Sequence, residues 1–95
     1  MAHRKLVFSK SFEKSYLKFV RGNRALKSGI QDALLQLEKD AFSPSLRTHK
    51  LSGNLYGLLA CSCGYDCRIV FSMQKTKSSE EIILLVDIGT HNEVY

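Results

Sequence analysis

Residues 67–73 read Cys67-Arg68-Ile69-Val70-Phe71-Ser72-Met73. Ile69 and Phe71 fall on one face, and Arg68, Val70 and Ser72 on the other, which is the period of a β-strand. Working outward, Gly64-Tyr65 reads as a turn, and residues 55–62 as the strand before it. Residues 75–81 form a polar turn rich in Lys and Ser. Beyond them Ile82-Ile83-Leu84-Leu85-Val86 is apolar without alternation, which predicts a central strand covered on both faces.

Towards the N-terminus the period changes. Leu6-Val7-Phe8 is a short apolar run that reads as a first strand. Ser9 or Ser11 can cap a helix after it. Phe12, Tyr16, Phe19 and Val20 then share one helical face, while Lys10, Lys14, Lys18 and Arg21 lie on another. Gly22-Asn23 breaks this helix. A second helix is predicted over residues 23–41, with Leu26, Ile30, Ala33, Leu34, Leu37 and Ala41 in helical period. Gly29 inside it costs about 1 kcal/mol against Ala. Ser43-Pro44-Ser45 ends it. The order strand, two helices, three strands predicts an α+β fold of β-α-α-β-β-β type. Its sheet is mostly antiparallel, with a helical hairpin packed on one face.

The 95 residues support a single domain, 1–95. Apolar residues make up 44%, enough for one core. No apolar run approaches the roughly 20 residues of a membrane span. Met1-Ala2-His3-Arg4-Lys5-Leu6 has no apolar signal-peptide core, so the expectation is a cytoplasmic protein. A dinucleotide fold with its own catalytic domain does not fit this length. The formal charge of +5 leans towards an anionic partner, of which nucleic acid is the commonest.

Three motifs now carry a resemblance. They are His49-Lys50-Leu51-Ser52-Gly53, then Gly64-Tyr65-Asp66-Cys67-Arg68-Ile69-Val70-Phe71, then Asp87-Ile88-Gly89-Thr90-His91-Asn92-Glu93-Val94-Tyr95. In this order and spacing they resemble the RelE/ParE superfamily of bacterial toxins, above all the RelE/StbE and YafQ-type mRNA interferases. The element order matches as well, so the resemblance covers essentially the whole chain. It implies a RelE-like fold and a toxin of a type II toxin–antitoxin system. Such a toxin enters the A site of the 70S ribosome, cuts mRNA there and so inhibits translation. It is held inactive by a cognate antitoxin, and the toxin–antitoxin complex can bind operator DNA.

RNA cleavage of this kind has simple needs. One group removes the 2′-OH proton, a second protonates the departing 5′ oxygen, and a cation stabilises the non-bridging oxygens. Histidine, with an unperturbed pKa of about 6.5, suits either proton role. Arginine suits the phosphate through its planar fork. The resemblance nominates His49, Asp66, Arg68, His91 and Tyr95 as catalytic. Arg68 matches the phosphate-binding arginine, and His49 and His91 are the general acid and base in either order. Asp66 either orients a histidine or acts as a base. Tyr95 either stacks on a base or assists proton transfer. The nucleophile belongs to the substrate, so the scheme calls for no metal and no cofactor. Family members can carry a further histidine in the strand before the turn, where this chain has Ser62.

Lys10, Lys14, Lys18, Arg21, Arg47 and Lys50 are the candidates for holding ribosomal RNA, together with Arg24. Cys61, Cys63 and Cys67 do not match the spacings of structural zinc sites. With an odd count and no export signal they are expected to be buried free thiols. The same fold is compatible with two other readings. One is a ParE-like inhibitor of DNA gyrase. The other is a catalytically weak protein that mainly binds its antitoxin and regulates an operator.

Overall fold

A computed structural model describes residues 4–94. Its elements are β1 (Lys5–Phe8), α1 (Lys10–Phe19), α2 (Arg24–Lys39), β2 (His49–Lys50), β3 (Leu59–Gly64), β4 (Cys67–Lys75), β5 (Glu81–Gly89) and α3 (His91–Val94). Short 3-10 turns occupy Pro44–Leu46 and Gly53–Leu55. The α+β class and the helical hairpin on a mostly antiparallel sheet are as expected. Two elements are additional: the two-residue strand β2 and the one-turn helix α3.

The sheet order is β1-β5-β4-β3-β2. Among the described strands only β1 runs parallel to its neighbour, pairing Leu6 with Ile83 and Phe8 with Leu85. Ser9 ends β1 and starts α1. Its amide donates to the Leu85 carbonyl (3.2 Å), its hydroxyl donates to the Val86 carbonyl (3.3 Å), and its Oγ accepts the Phe12 amide (3.0 Å). Of the two possible caps, Ser9 is therefore the one used, because it also joins the helix to the sheet. Asn23 caps α2 by accepting the Leu26 amide at 2.9 Å.

The helices cover one face only, α1 against β5 and α2 against β3. Phe12, Ile30 and Leu37 meet Cys61, Ile69, Phe71, Ile83 and Leu85 in a continuous core. Each large apolar side chain so buried contributes about 1.5–3 kcal/mol. Double coverage of residues 82–86 is thus corrected. Ile83 and Leu85 are fully buried, whereas Ile82, Leu84 and Val86 are half-buried. The unbroken apolar run reflects a well-shielded strand and not a second layer of helices.

Three further details differ from expectation. The strand predicted over 55–62 begins at Leu59. Leu55, Tyr56 and Leu58 instead close local turns through amide bonds to Ser52, Gly53 and Leu55. The β3–β4 turn is Tyr65-Asp66, with Gly64 still in the strand. Finally, Cys63 and Cys67 form a disulfide, and only Cys61 is a free, buried thiol. The register explains the pairing. Ser62 opposes Arg68 and Gly64 opposes Cys67, so Cys63 is an extra residue in a bulge. The tight turn brings the two Cα atoms to 5.0 Å, within bridging range.

Candidate active site

The turn end of the β3–β4 hairpin forms one wall of a cavity of about 720 Å³. Tyr65, Asp66 and Arg68 line it from the hairpin, Asp32 and Gln36 from α2, and Arg47 from the loop before β2. Gly29 lets α2 approach this hairpin. A Cβ at that position would lie 3.2 Å from the Cys63 carbonyl oxygen, tighter than most real contacts. The helix-weakening glycine of the sequence therefore has a packing reason.

Arg68 stands between Ser62 on β3 and Gly89 on β5 in register. Its Nη1 donates to the Cys67 carbonyl at 2.9 Å. That bond holds the guanidinium near the disulfide-closed turn. Its charge reaches inward as well. Burial pushes the Cys61 thiol up to about 12, and Arg68 opposes that rise.

Asp66 has φ +49, a left-handed conformation that Asp tolerates better than most residues. Its Oδ1 accepts the His91 amide at 3.2 Å, across 25 residues of chain. Asp66 therefore touches the main chain of His91. That bond ties the main chain at His91 to the hairpin turn.

His91 opens α3, and the residues around it explain how. Thr90-His91-Asn92-Glu93 is a capping box. The Thr90 amide donates to Glu93 Oε1 (2.9 Å), and the Glu93 amide donates to Thr90 Oγ1 (3.3 Å). Gly89 has no side chain to block this fold-back: a Cβ there would lie 3.0 Å from Glu93 Oε1. The Gly-Thr-His motif thus builds a one-turn platform for the histidine. Sequence reading overlooked Glu93, although the Thr-x-x-Glu spacing was visible.

His49 lies on the edge strand β2, opposite Ala60, which in turn opposes Val70. Side chains of register partners share a face, and residues two apart on a strand do too. His49 and Arg68 are therefore on the same sheet face, opposite Ile69 and Phe71. They stand two strands, about 10 Å, apart across the sheet and two residues, about 7 Å, apart along it. Nδ1 of His49 is 3.1 Å from the Arg47 carbonyl. A carbonyl only accepts, so Nδ1 is the donor in this contact.

The structure thus gathers Asp66, Arg68 and His91 at one end of the sheet, with His49 on the same face. Tyr95 lies outside the described residues. The basic candidates split into two groups. Lys10, Lys14, Lys18 and Arg21 are exposed along α1 and after it, over β5. Arg47 and Lys50 are exposed at the other edge, beside the cavity and on β2. Among the described residues no three His, Cys, Asp or Glu side chains converge as a metal group. No helix among them is long and apolar enough to cross a membrane.

Comparison with known proteins gives these features a family. The model of the family described as "bacterial toxin of type II toxin-antitoxin system, YafQ" matches residues 4–95. A copper-bound mutant toxin from Helicobacter pylori is similar at 24% identity and TM-score 0.76, covering 97% of this chain and 99% of that one. YafQ from E. coli is 13% identical with TM-score 0.76, covering 97% and 98%. The E. coli DinJ–YafQ toxin–antitoxin complex matches at 14% identity and TM-score 0.74, covering 98% of each chain. No match was found among curated proteins. The chain belongs to the YafQ family of bacterial toxins of type II toxin–antitoxin systems.

Proposed function

We propose that this toxin is a ribosome-dependent endoribonuclease that cuts mRNA in the A site. The observation that carries the reading is the junction of the hairpin turn and α3. There Arg68 is fixed through the Cys67 carbonyl, and Asp66 holds the start of the helix that bears His91. On this reading a phosphate-binding cation and a proton-transfer group stand at one end of the sheet.

In the proposed reaction one histidine, His49 or His91, takes the proton of the 2′-OH. The oxygen attacks the adjacent phosphorus, and Arg68 stabilises the charge gathering on the non-bridging oxygens. The other histidine protonates the leaving 5′ oxygen. The products are a 2′,3′-cyclic phosphate and a 5′-OH end. Tyr95 assists by stacking or proton transfer. The α1 lysines and the Arg47–Lys50 edge hold ribosomal RNA as two separate contacts.

The E. coli relative is seen with its antitoxin DinJ, which supports a cognate antitoxin for this chain. Exposed Phe8, Leu17 and Leu35 offer apolar surface for such a partner. The decisive experiment programs ribosomes with a defined mRNA, adds the purified toxin and maps the RNA ends. New 5′-OH ends within the A-site codon are expected. Arrested translation over intact mRNA would refute the endonuclease reading.

A further inference from the structure

Tyr65 is the first residue of the β3–β4 turn and is 100% exposed. Its position calls for no aromatic. Two-residue turns favour Asn, Asp and Gly, and a ring wholly in water adds no apolar burial to the fold. Among the described residues the ring–ring contacts run through Phe8, Phe12 and Tyr16 instead. Yet Tyr65 lines the same cavity as Arg47 and Arg68.

That neighbourhood matches the parts of a nucleotide. A guanidinium meets a phosphate through its fork. An exposed ring offers a flat face to an unstacked base, which single-stranded RNA presents and duplex RNA does not. Asp32 and Gln36 on the facing helix wall carry polar groups suited to a base edge. The carboxylates of Asp32 and Asp66 would repel a second phosphate there. The cavity therefore suits a base with its phosphate at the arginine side, and not a polyanionic ligand.

We infer that Tyr65 is a stacking platform for one mRNA base beside the scissile phosphate, a binding and positioning role that rests on the endoribonuclease reading. Stacking binds the RNA and aligns it; the proton transfers stay with the histidines. Loss of one aromatic–base stack weakens binding roughly 5- to 150-fold.

The chain contains no tryptophan, so Tyr65→Trp places a single reporter at this position. A short single-stranded oligoribonucleotide at low ionic strength is expected to quench its emission saturably. Leu35→Trp is the control: Leu35 is 57% exposed on α2 and lines a separate groove with Gln31 and Glu38, away from the cavity and from the basic residues assigned to RNA. Its emission should stay unchanged. On programmed ribosomes, Tyr65→Ala should raise KM at least fivefold, and Tyr65→Phe should restore the wild-type value. Unchanged emission of Tyr65→Trp, or wild-type cleavage by Tyr65→Ala, would overturn the inference. If the unaltered toxin leaves mRNA intact, the endoribonuclease reading falls, and the quenching alone then decides whether Tyr65 stacks on RNA.

Discussion

Strand β4 has two ends, and they are built differently. At one, the Tyr65-Asp66 turn is closed by the Cys63–Cys67 disulfide, and Asp66 bonds to His91 on another element. At the other, residues 76–80 satisfy one another. The Thr76 amide donates to the Glu80 carbonyl, the Ser79 amide to the Thr76 carbonyl, and the Glu80 amide to Thr76 Oγ1. Both turns hold a left-handed residue, Asp66 at φ +49 and Ser79 at φ +67. Backbone shape is therefore not what separates them. The difference is where the polar groups are used: locally in the 76–80 turn, and across the fold in the Tyr65-Asp66 turn. One bulge lies at Ser62/Gly64 beside the Tyr65-Asp66 turn.

The contrast can be broken most sharply at Arg68. Arg68→Ala should lower cleavage on programmed ribosomes by roughly a hundredfold or more. Lys75→Ala, at the far end of the same strand, should leave the rate unchanged. Next comes Asp66. Asp66→Ala removes the acceptor for the His91 amide and should cost about tenfold in cleavage. Asp66→Asn keeps an oxygen acceptor and tolerates the left-handed backbone. Recovery in the Asn variant marks a holding role, and continued loss marks Asp66 as the base. Ser79→Ala should not change cleavage.

Glu93 gives a smaller effect. Glu93→Ala breaks the capping box and should reduce cleavage several-fold, while Glu93→Gln, which can also close the box, should preserve it. The cysteines test the hairpin's stability. Reduction of Cys63–Cys67 should destabilise the fold by about 2 kcal/mol, measured as lower resistance to urea. Cys61 should remain inert to alkylation at pH 8 until the chain unfolds, because burial holds its thiol up at about 12. Its sign follows. Above the ordinary value of 9.0 the unfolded chain loses this proton while the folded chain keeps it. Stability therefore falls as pH rises from there towards 12, by up to about 1.4 kcal/mol per unit. Smallest is Gly29→Ala. Helix propensity favours Ala by about 1 kcal/mol, but the Cys63 carbonyl is pinned by the bulge and disulfide. Denaturant midpoints should show a net loss of about 1 kcal/mol instead of a gain.

Long periodic segments were legible in the sequence. α1, α2 and β4 appear where apolar spacing put them, because one face of each has to meet the core. What escaped was short or cooperative. β2 is two residues long and exists only because β3 lies beside it. α3 is one turn held by its own caps and by Asp66. The strand over 55–62 was misplaced because an apolar run such as Leu55-Tyr56-Gly57-Leu58-Leu59 serves a turn as well as a strand. The disulfide escaped because a bulge decides which cysteine faces which, and compartment arguments say nothing about that. The candidate site divides the same way. Asp66, Arg68, His49 and His91 were nominated by motif, Glu93 was legible as the end of a Thr-x-x-Glu capping box, and the place of Tyr65 beside Arg47 and Arg68 shows only in the fold.

The parallel pairing of β1 with β5 has a consequence for how the chain matures. Ser9 bonds to Val86 across 77 residues, so the sheet cannot close until nearly all of these residues have emerged from the ribosome making them. Contacts of such long separation form late and slowly. The two helices therefore emerge first, with no sheet to cover. The His91 platform, which needs both β5 and the Asp66 turn, is among the last parts to assemble.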